Sequence, residues 1–143
     1  MALSADTPLI IELGNVGEYP VKALAKIYEG AAVGLDAGTG HARGLMAGDL
    51  FLGFAESQAD NSAGTAGAEI NVRVLQRGAV ELTVTNAAIT DVGAPVFASA
   101  DGTFVLVEGS NSFIGVLARF VSSGVGVVKF DAIIEQGIGN LGS

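Results

Sequence analysis

Residues 30–33 (Gly-Ala-Ala-Val) and residues 93–96 (Gly-Ala-Pro-Val) are two versions of one phrase, and they decide the fold of this chain. A second phrase follows each of them: residues 48–53 (Gly-Asp-Leu-Phe-Leu-Gly) and residues 109–115 (Gly-Ser-Asn-Ser-Phe-Ile-Gly). The matching positions lie between 61 and 63 residues apart. A nearly constant spacing with one-residue slips indicates two diverged copies of one supersecondary unit.

Glycines of this internal repeat are predicted to be architectural. The two copies span about residues 27–57 and 89–120, and each carries an aspartate in a Gly-rich turn, Asp36 in the first and Asp101 in the second. Because the glycines recur together with the apolar framework, we expect them to shape turns and close strand contacts rather than to hold a ligand.

Apolar and polar residues alternate with period two over short runs, which predicts half-buried strands at about residues 70–74, 80–84 and 114–121. Residues 125–130 are nearly continuously apolar and predict a more central strand. Short strands separated by glycine turns predict an all-β fold, a compact barrel or sandwich. Asp101-Gly102 predicts a hairpin with a type I′ turn.

Helix signals are weak, so little helix is expected. Residues 21–28 carry some helix formers, but Pro20 and Gly30 bracket them closely, which favours extended structure. Residues 87–92 predict a single helical turn.

The length of 143 residues is that of one domain. Residues 9–134 are predicted to form the β-domain, preceded by an extended arm at residues 1–8 and followed by a flexible tail at residues 135–143. Residues 57–68 are small and polar, which is typical of a flexible loop.

The net charge of −8 excludes the usual chemistry of nucleic-acid binding. Only seven cations are present, and they are scattered rather than clustered. The N-terminus has neither a basic nor an apolar signal region, and no run of 18 apolar residues occurs, so no membrane span is predicted. The absence of cysteine excludes disulfides, thiolate nucleophiles and cysteine-ligated zinc.

Patterns that carry catalysis or cofactor binding are missing from the sequence. His41 is the only histidine, and no Gly-x-Ser-x-Gly elbow presents a nucleophile to it. Residues 38–44 have a glycine spacing that fails the dinucleotide-binding pattern, and no Walker A loop occurs. We therefore predict no catalytic residues, no cofactor and no metal site, and a protein that is not an enzyme.

Residues 27–34 (Ile-Tyr-Glu-Gly-Ala-Ala-Val-Gly), 47–56 (Ala-Gly-Asp-Leu-Phe-Leu-Gly-Phe-Ala-Glu) and 60–64 (Asp-Asn-Ser-Ala-Gly) form a pattern with residues 92–99 and 111–115. This pattern resembles the small capsid cement (decoration) proteins of tailed bacteriophages. The likeness covers about residues 5–131. Its motifs are structural rather than catalytic.

The resemblance implies a β-rich virion protein on the outer capsid surface, made in the host cytoplasm. Such proteins bind the major capsid protein at capsomer junctions, often as homotrimers, and stabilise the shell against internal DNA pressure. A candidate capsid contact lies in the arm, at Leu3, Ser4, Pro8 and Leu9. Two alternatives stay open: a capsid-displayed adhesin that binds a host-surface glycan or protein, and a small β-barrel hydrolase.

Overall fold

A computed structural model describes residues 16–64, 67 and 70–132 of the chain. The described part is all-β, as predicted, and its helical content is one 3-10 turn at Ile89–Asp91. The predicted arm, with Leu3, Ser4, Pro8 and Leu9, and the predicted tail lie outside the described residues.

Within the described residues, twelve strands form two five-stranded antiparallel sheets and one two-stranded sheet. In chain order they are β1 (Val16–Pro20), β2 (Lys26–Ile27), β3 (Ala32–Asp36), β4 (His41–Gly44), β5 (Leu50–Ala55), β6 (Ala59–Asp60), β7 (Asn71–Leu75), β8 (Arg77–Thr83), β9 (Pro95–Ala100), β10 (Thr103–Val105), β11 (Ser112–Ser122) and β12 (Val125–Asp131).

Both large sheets have the same topology. The first sheet has the order β1-β7-β5-β3-β4, and the second has the order β8-β12-β11-β9-β10. Each strand of the first large sheet (within residues 16–75) therefore has a counterpart in the second (within residues 77–131), with only Gln76 between the two halves. Strands β2 and β6 of the first half have no counterpart among the described residues of the second half. The duplication extends further along the chain than the sequence phrases alone suggested, because it includes the strands on both sides of them.

Neither large sheet closes into a barrel. A single parallel bridge, Val21 to Ala42, joins the two ends of the first sheet, and Val84 to Phe104 joins those of the second. One bridge is not a hydrogen-bonded ladder, so each sheet curls without closing. The barrel alternative is therefore wrong.

Gly53 and Gly115, the last residues of the repeated second phrase, occupy equivalent positions beside a register shift. A methyl group on Gly53 would collide with the carbonyl oxygen of Leu75, and one on Gly115 with that of Lys129. Gly53 also has a φ of +127°, which side-chain-bearing residues rarely adopt. The final glycine of the phrase recurs because each half has a close contact between two strands there, β5 with β7 in the first half and β11 with β12 in the second.

Each half closes its interior in a different way. In the first half, the small β2–β6 sheet covers the core, with Ile27 and Ala59 packed among Val33, Leu52 and Val74. In the second half, two phenylalanines of the first half complete the core, and Phe54 contacts both Phe130 and Phe104 at ring-centroid distances of 4.9 and 6.0 Å. Strand β5 consequently has both faces buried.

Local details of two predictions differ from the structure. The Asp101-Gly102 hairpin forms, but neither residue has a positive φ, so the turn is not type I′. A register shift follows at Thr103 instead. In β11, Ile114 shares the core with Leu117 rather than with Val116, because an irregularity after Phe113 moves the alternation to the other face.

Residues 21–28 are extended and turned rather than helical, as expected, and residues 87–92 include the expected single helical turn. The extended stretch contains Leu24, which has a φ of 63° and is exposed.

We expect Gly53→Ala to lower the free energy of unfolding by about 2–4 kcal/mol, because the variant combines a positive φ with a backbone collision. Gly102→Ala is the matched control, since a methyl group there meets nothing within 4 Å. Urea unfolding of both variants measures the difference. Equal stability of the two variants would contradict the close strand contact.

Candidate functional site

The described residues that carry chemistry fall into three groups. An ion-pair cluster lies on the first sheet, the single histidine lies against the loop at residues 57–68, and an apolar face lies on the outer side of the second sheet. The predicted arm contacts Leu3, Ser4, Pro8 and Leu9 lie outside the residues that the structure describes.

The ion-pair cluster is centred on Arg43. Its Nε and Nη2 atoms donate to the two carboxylate oxygens of Asp49 at 3.0 and 2.8 Å, which is a bidentate pair. Asp49 also accepts the backbone N–H of Met46 at 3.1 Å. Asp36 lies 3.8 Å from Arg43 and 2.7 Å from Lys22 Nζ. The four charges therefore tie β3 and β4 to the segments that follow β1 and precede β5.

Gly34 makes room for this cluster, because a methyl group there would lie 2.6 Å from Oδ2 of Asp49. Gly34 pairs with Arg43 across β3 and β4. The equivalent pair in the second half is Phe97 and Val105. One position of the repeat is thus polar in the first half and apolar in the second.

Two carboxylates of the first half, Asp36 and Asp60, are held in their charged form. The hydrogen bond from Lys22 is the main cause that lowers the pKa of Asp36 from 3.8 to about 2, and the backbone N–H of Gly38 adds to it. The Ser62 hydroxyl and backbone N–H lower the pKa of Asp60. Hydrogen bonding to Asp49 raises the pKa of Arg43. Groups that stay ionised in ion pairs act as structural charges, because acid–base catalysis needs a pKa near the working pH.

His41 begins β4 and lies opposite Asp36 in the hairpin. Its ring contacts Gly67, where a methyl group would collide with the imidazole. The carboxylate of Asp36 already accepts hydrogen bonds from Gly38 and Thr39 and pairs with Lys22. His41 is therefore a packing partner of the loop, and the carboxylate opposite it in the hairpin is engaged by other groups. Residues 16–64, 67 and 70–132 contain no group of three potential metal-ligating side chains.

The loop at residues 57–68 is tied to the domain by Asn61. This buried side chain donates to the carbonyl oxygens of Val21 and Lys22 at 3.3 and 3.2 Å, and its backbone N–H donates to Ala25 at 2.9 Å. Composition predicted flexibility here, but a buried amide with three such bonds fixes the described residues around it. The asparagine was not singled out by its sequence context.

The outer side of the second sheet carries an apolar stripe, which we call the outer face. It is opposite the face that packs into the core, and it crosses β10, β9, β11 and β12. The rings of Phe97 and Phe113 meet at 5.9 Å on this face. The stripe consists of half-buried or exposed side chains around the buried Phe97: Pro95, Val105, Phe113, Val116 and Val127.

Comparisons with models of known protein families, with curated proteins and with solved structures give no match. None of the helical segments in the described part is long and apolar enough to cross a bilayer.

We expect Asp36→Asn to reduce stability at pH 5–7 and to have a shrinking effect as the pH falls. The folded-state pKa of Asp36 lies below its ordinary value, so its stabilising contribution is present above about pH 4 and is lost as the pH falls toward 2. Chemical unfolding at several pH values measures this difference.

Glu108→Gln removes an exposed carboxylate away from the cluster and serves as the charge-matched control. A constant stability difference between Asp36→Asn and the wild type from pH 7 to pH 2 would contradict the ion-pair role of Asp36.

Proposed function

We propose that this chain is a structural cement protein that binds the outer surface of a tailed-phage capsid at capsomer junctions and stabilises the shell against internal DNA pressure. The observation that carries the proposal is a coincidence of position. The phrases that resemble the cement-protein family at residues 27–34, 47–56, 92–99 and 111–115 overlap the repeated phrases that shape both halves of the domain. The resemblance therefore concerns the framework of the protein and not isolated glycines.

The chemistry of the described residues supports a binding role rather than an enzymatic one. Carboxylates such as Asp36 and Asp49 are engaged in ion pairs, and His41 packs against the loop. Apolar side chains remain on the outer face of the second sheet. An apolar surface framed by polar residues is typical of protein–protein contacts.

In this proposal the partners are the major capsid protein and further copies of the chain, as a homotrimer on the virion surface. A symmetric oligomer matches local symmetry in a shell and engages several equivalent sites at once. Each contact can then be weak, because the second and third contacts form at high effective concentration. The arm residues Leu3, Ser4, Pro8 and Leu9 are proposed contacts.

We expect the purified chain to co-sediment with assembled shells and not with free coat subunits, because capsomer junctions exist only in the shell. Ultracentrifugation of fixed amounts of shell with increasing amounts of chain measures occupancy. Sedimentation with free subunits alone, or with neither, would overturn the cement-protein proposal.

Deletion of residues 2–8 is expected to leave the domain folded and to weaken shell binding at least fivefold. The deletion removes three of the proposed contacts and none of the described residues that form the two cores. Deletion of residues 136–143 is the matched control. Unchanged occupancy after the arm deletion would show that the arm does not contact the shell.

Light scattering at micromolar concentration is expected to give the mass of a trimer, because three copies must be held together before they bind three sites in concert. The same measurement on the arm deletion separates trimer formation from shell binding. A monomer at all concentrations would mean that the shell itself assembles the copies.

The second candidate function is a capsid-displayed adhesin, and the small β2–β6 sheet favours it. Tyr28 is 56 % exposed with the Lys26 ammonium 5.0 Å from its ring, and Leu24 is 70 % exposed nearby in the chain. Exposed aromatic rings stack on ligands. Binding of the isolated chain to host cells, lost in Tyr28→Ser and kept in Tyr19→Phe, would favour this function over the first.

A further inference from the structure

Two cations of this acidic chain lack an ion-pair partner among the described residues. All seven Lys and Arg side chains lie in the described part, and five of them form ion pairs: Lys22, Lys26, Arg43, Arg73 and Arg77. The remaining two are Arg119 and Lys129, and both are exposed. In a chain of net charge −8, unpaired cations are scarce, so their location is informative.

These two cations, which have no ion-pair partner in the described ranges, both lie on the outer face of the second sheet. Lys129 is opposite Val116 across β11 and β12, and Arg119 is opposite Val127. The neighbours of Lys129 along β12, Val128 and Phe130, point to the opposite side of the sheet, into the core. The cations therefore border the apolar stripe around Phe97 and Phe113 on its β12 side. Two carboxylates share this face by strand register: Glu81, opposite Val127 on β8, and Asp131, which is opposite Arg77 and pairs with it.

The duplication shows what such a face does elsewhere in the molecule. Phe51 and Phe113 are equivalent, because Phe51 pairs with Gly34 and Phe113 pairs with Phe97 at the same place in the two sheets. Phe54 and Val116 are equivalent in the same way, because Phe54 is opposite Leu75 and Val116 is opposite Lys129. In the first half, Phe51 and Phe54 are buried against the other half. In the second half, the corresponding side chains are only half-buried. This face of the repeat is a packing surface whose side chains are buried in one copy and half-buried in the other.

We propose that the outer face of the second sheet docks on the capsid shell and binds a coat-protein segment that presents apolar side chains beside carboxylates. The inference rests on the proposed function and adds to it the docking surface and the chemistry of the partner. Apolar side chains of the segment cover Phe113, Val116 and Pro95. Its carboxylates pair with Arg119 and Lys129.

Charge complementarity selects this occupant. A body of net charge −8 is repelled by an acidic surface unless it approaches through a region that carries positive charge. The outer face is that region, because Arg119 and Lys129 have no ion-pair partner among the described residues. The other five cations are neutralised by neighbouring carboxylates, and one of these, Arg77, is neutralised by Asp131 on the same face. Two cations are too few to bind a polyanion, which needs many, so the occupant is a protein segment.

The test is a charge reversal, Arg119→Glu with Lys129→Glu, in the full chain. The control is Lys26→Glu with Arg73→Glu, which changes the net charge equally on exposed residues away from the outer face. We expect the outer-face variant to bind assembled shells at least tenfold more weakly than the control variant. Wild-type binding should also weaken with added salt more steeply than binding of the outer-face variant.

The outcomes separate this inference from the function on which it rests. If the wild type does not sediment with shells, the cement-protein proposal and this inference both fail. If the wild type binds and the two double variants bind equally, the docking face is wrong while the function stands. A third outcome is that the outer-face variant loses self-association in sedimentation velocity, while the oligomer of the wild type still binds shells. The outer face then joins copies of the chain, and this result also overturns the inference.

Discussion

The packing of Phe54 against Phe130 and Phe104 is the interaction on which the two-part structure depends. The second half has no small sheet to cover its curled core, so side chains of the first half complete it. Burying aromatic rings in this way is among the largest single contributions that a core side chain makes. The two halves are therefore parts of one cooperative core, although each has the topology of a complete unit.

Duplication followed by divergence explains the asymmetry between the halves. At one repeated position the first half has Gly34 opposite Arg43, and Arg43 makes a bidentate pair with Asp49 over this glycine. The second half has Phe97 opposite Val105 at the same position. The first arrangement stabilises a hairpin with charges, while the second places an aromatic ring on an outer surface. Two copies that must pack together cannot keep identical faces, because each face meets a different neighbour.

Much of the fold was predictable from the sequence. Period-two alternation identified β7, a nearly continuous apolar run identified β12, and the repeated glycines identified the duplication. The turn at Asp101 was predicted as a hairpin but with the wrong geometry, since the neighbouring strands set the backbone angles. The outer face was not predicted. A half-buried phenylalanine such as Phe113 has the same sequence signature as a core phenylalanine, and only the register after the bulge places it outside.

By itself the sequence determined the β class, the repeated unit and the scarcity of positive charge, because composition and spacing act within a few residues of the chain. Only the tertiary structure decided which copy covers which core, that Asn61 ties the loop at residues 57–68 to the domain, and that Arg119 and Lys129 share one face. These features depend on contacts between residues distant in the chain. Such contacts are set by strand register and sheet packing, which leave no local signal.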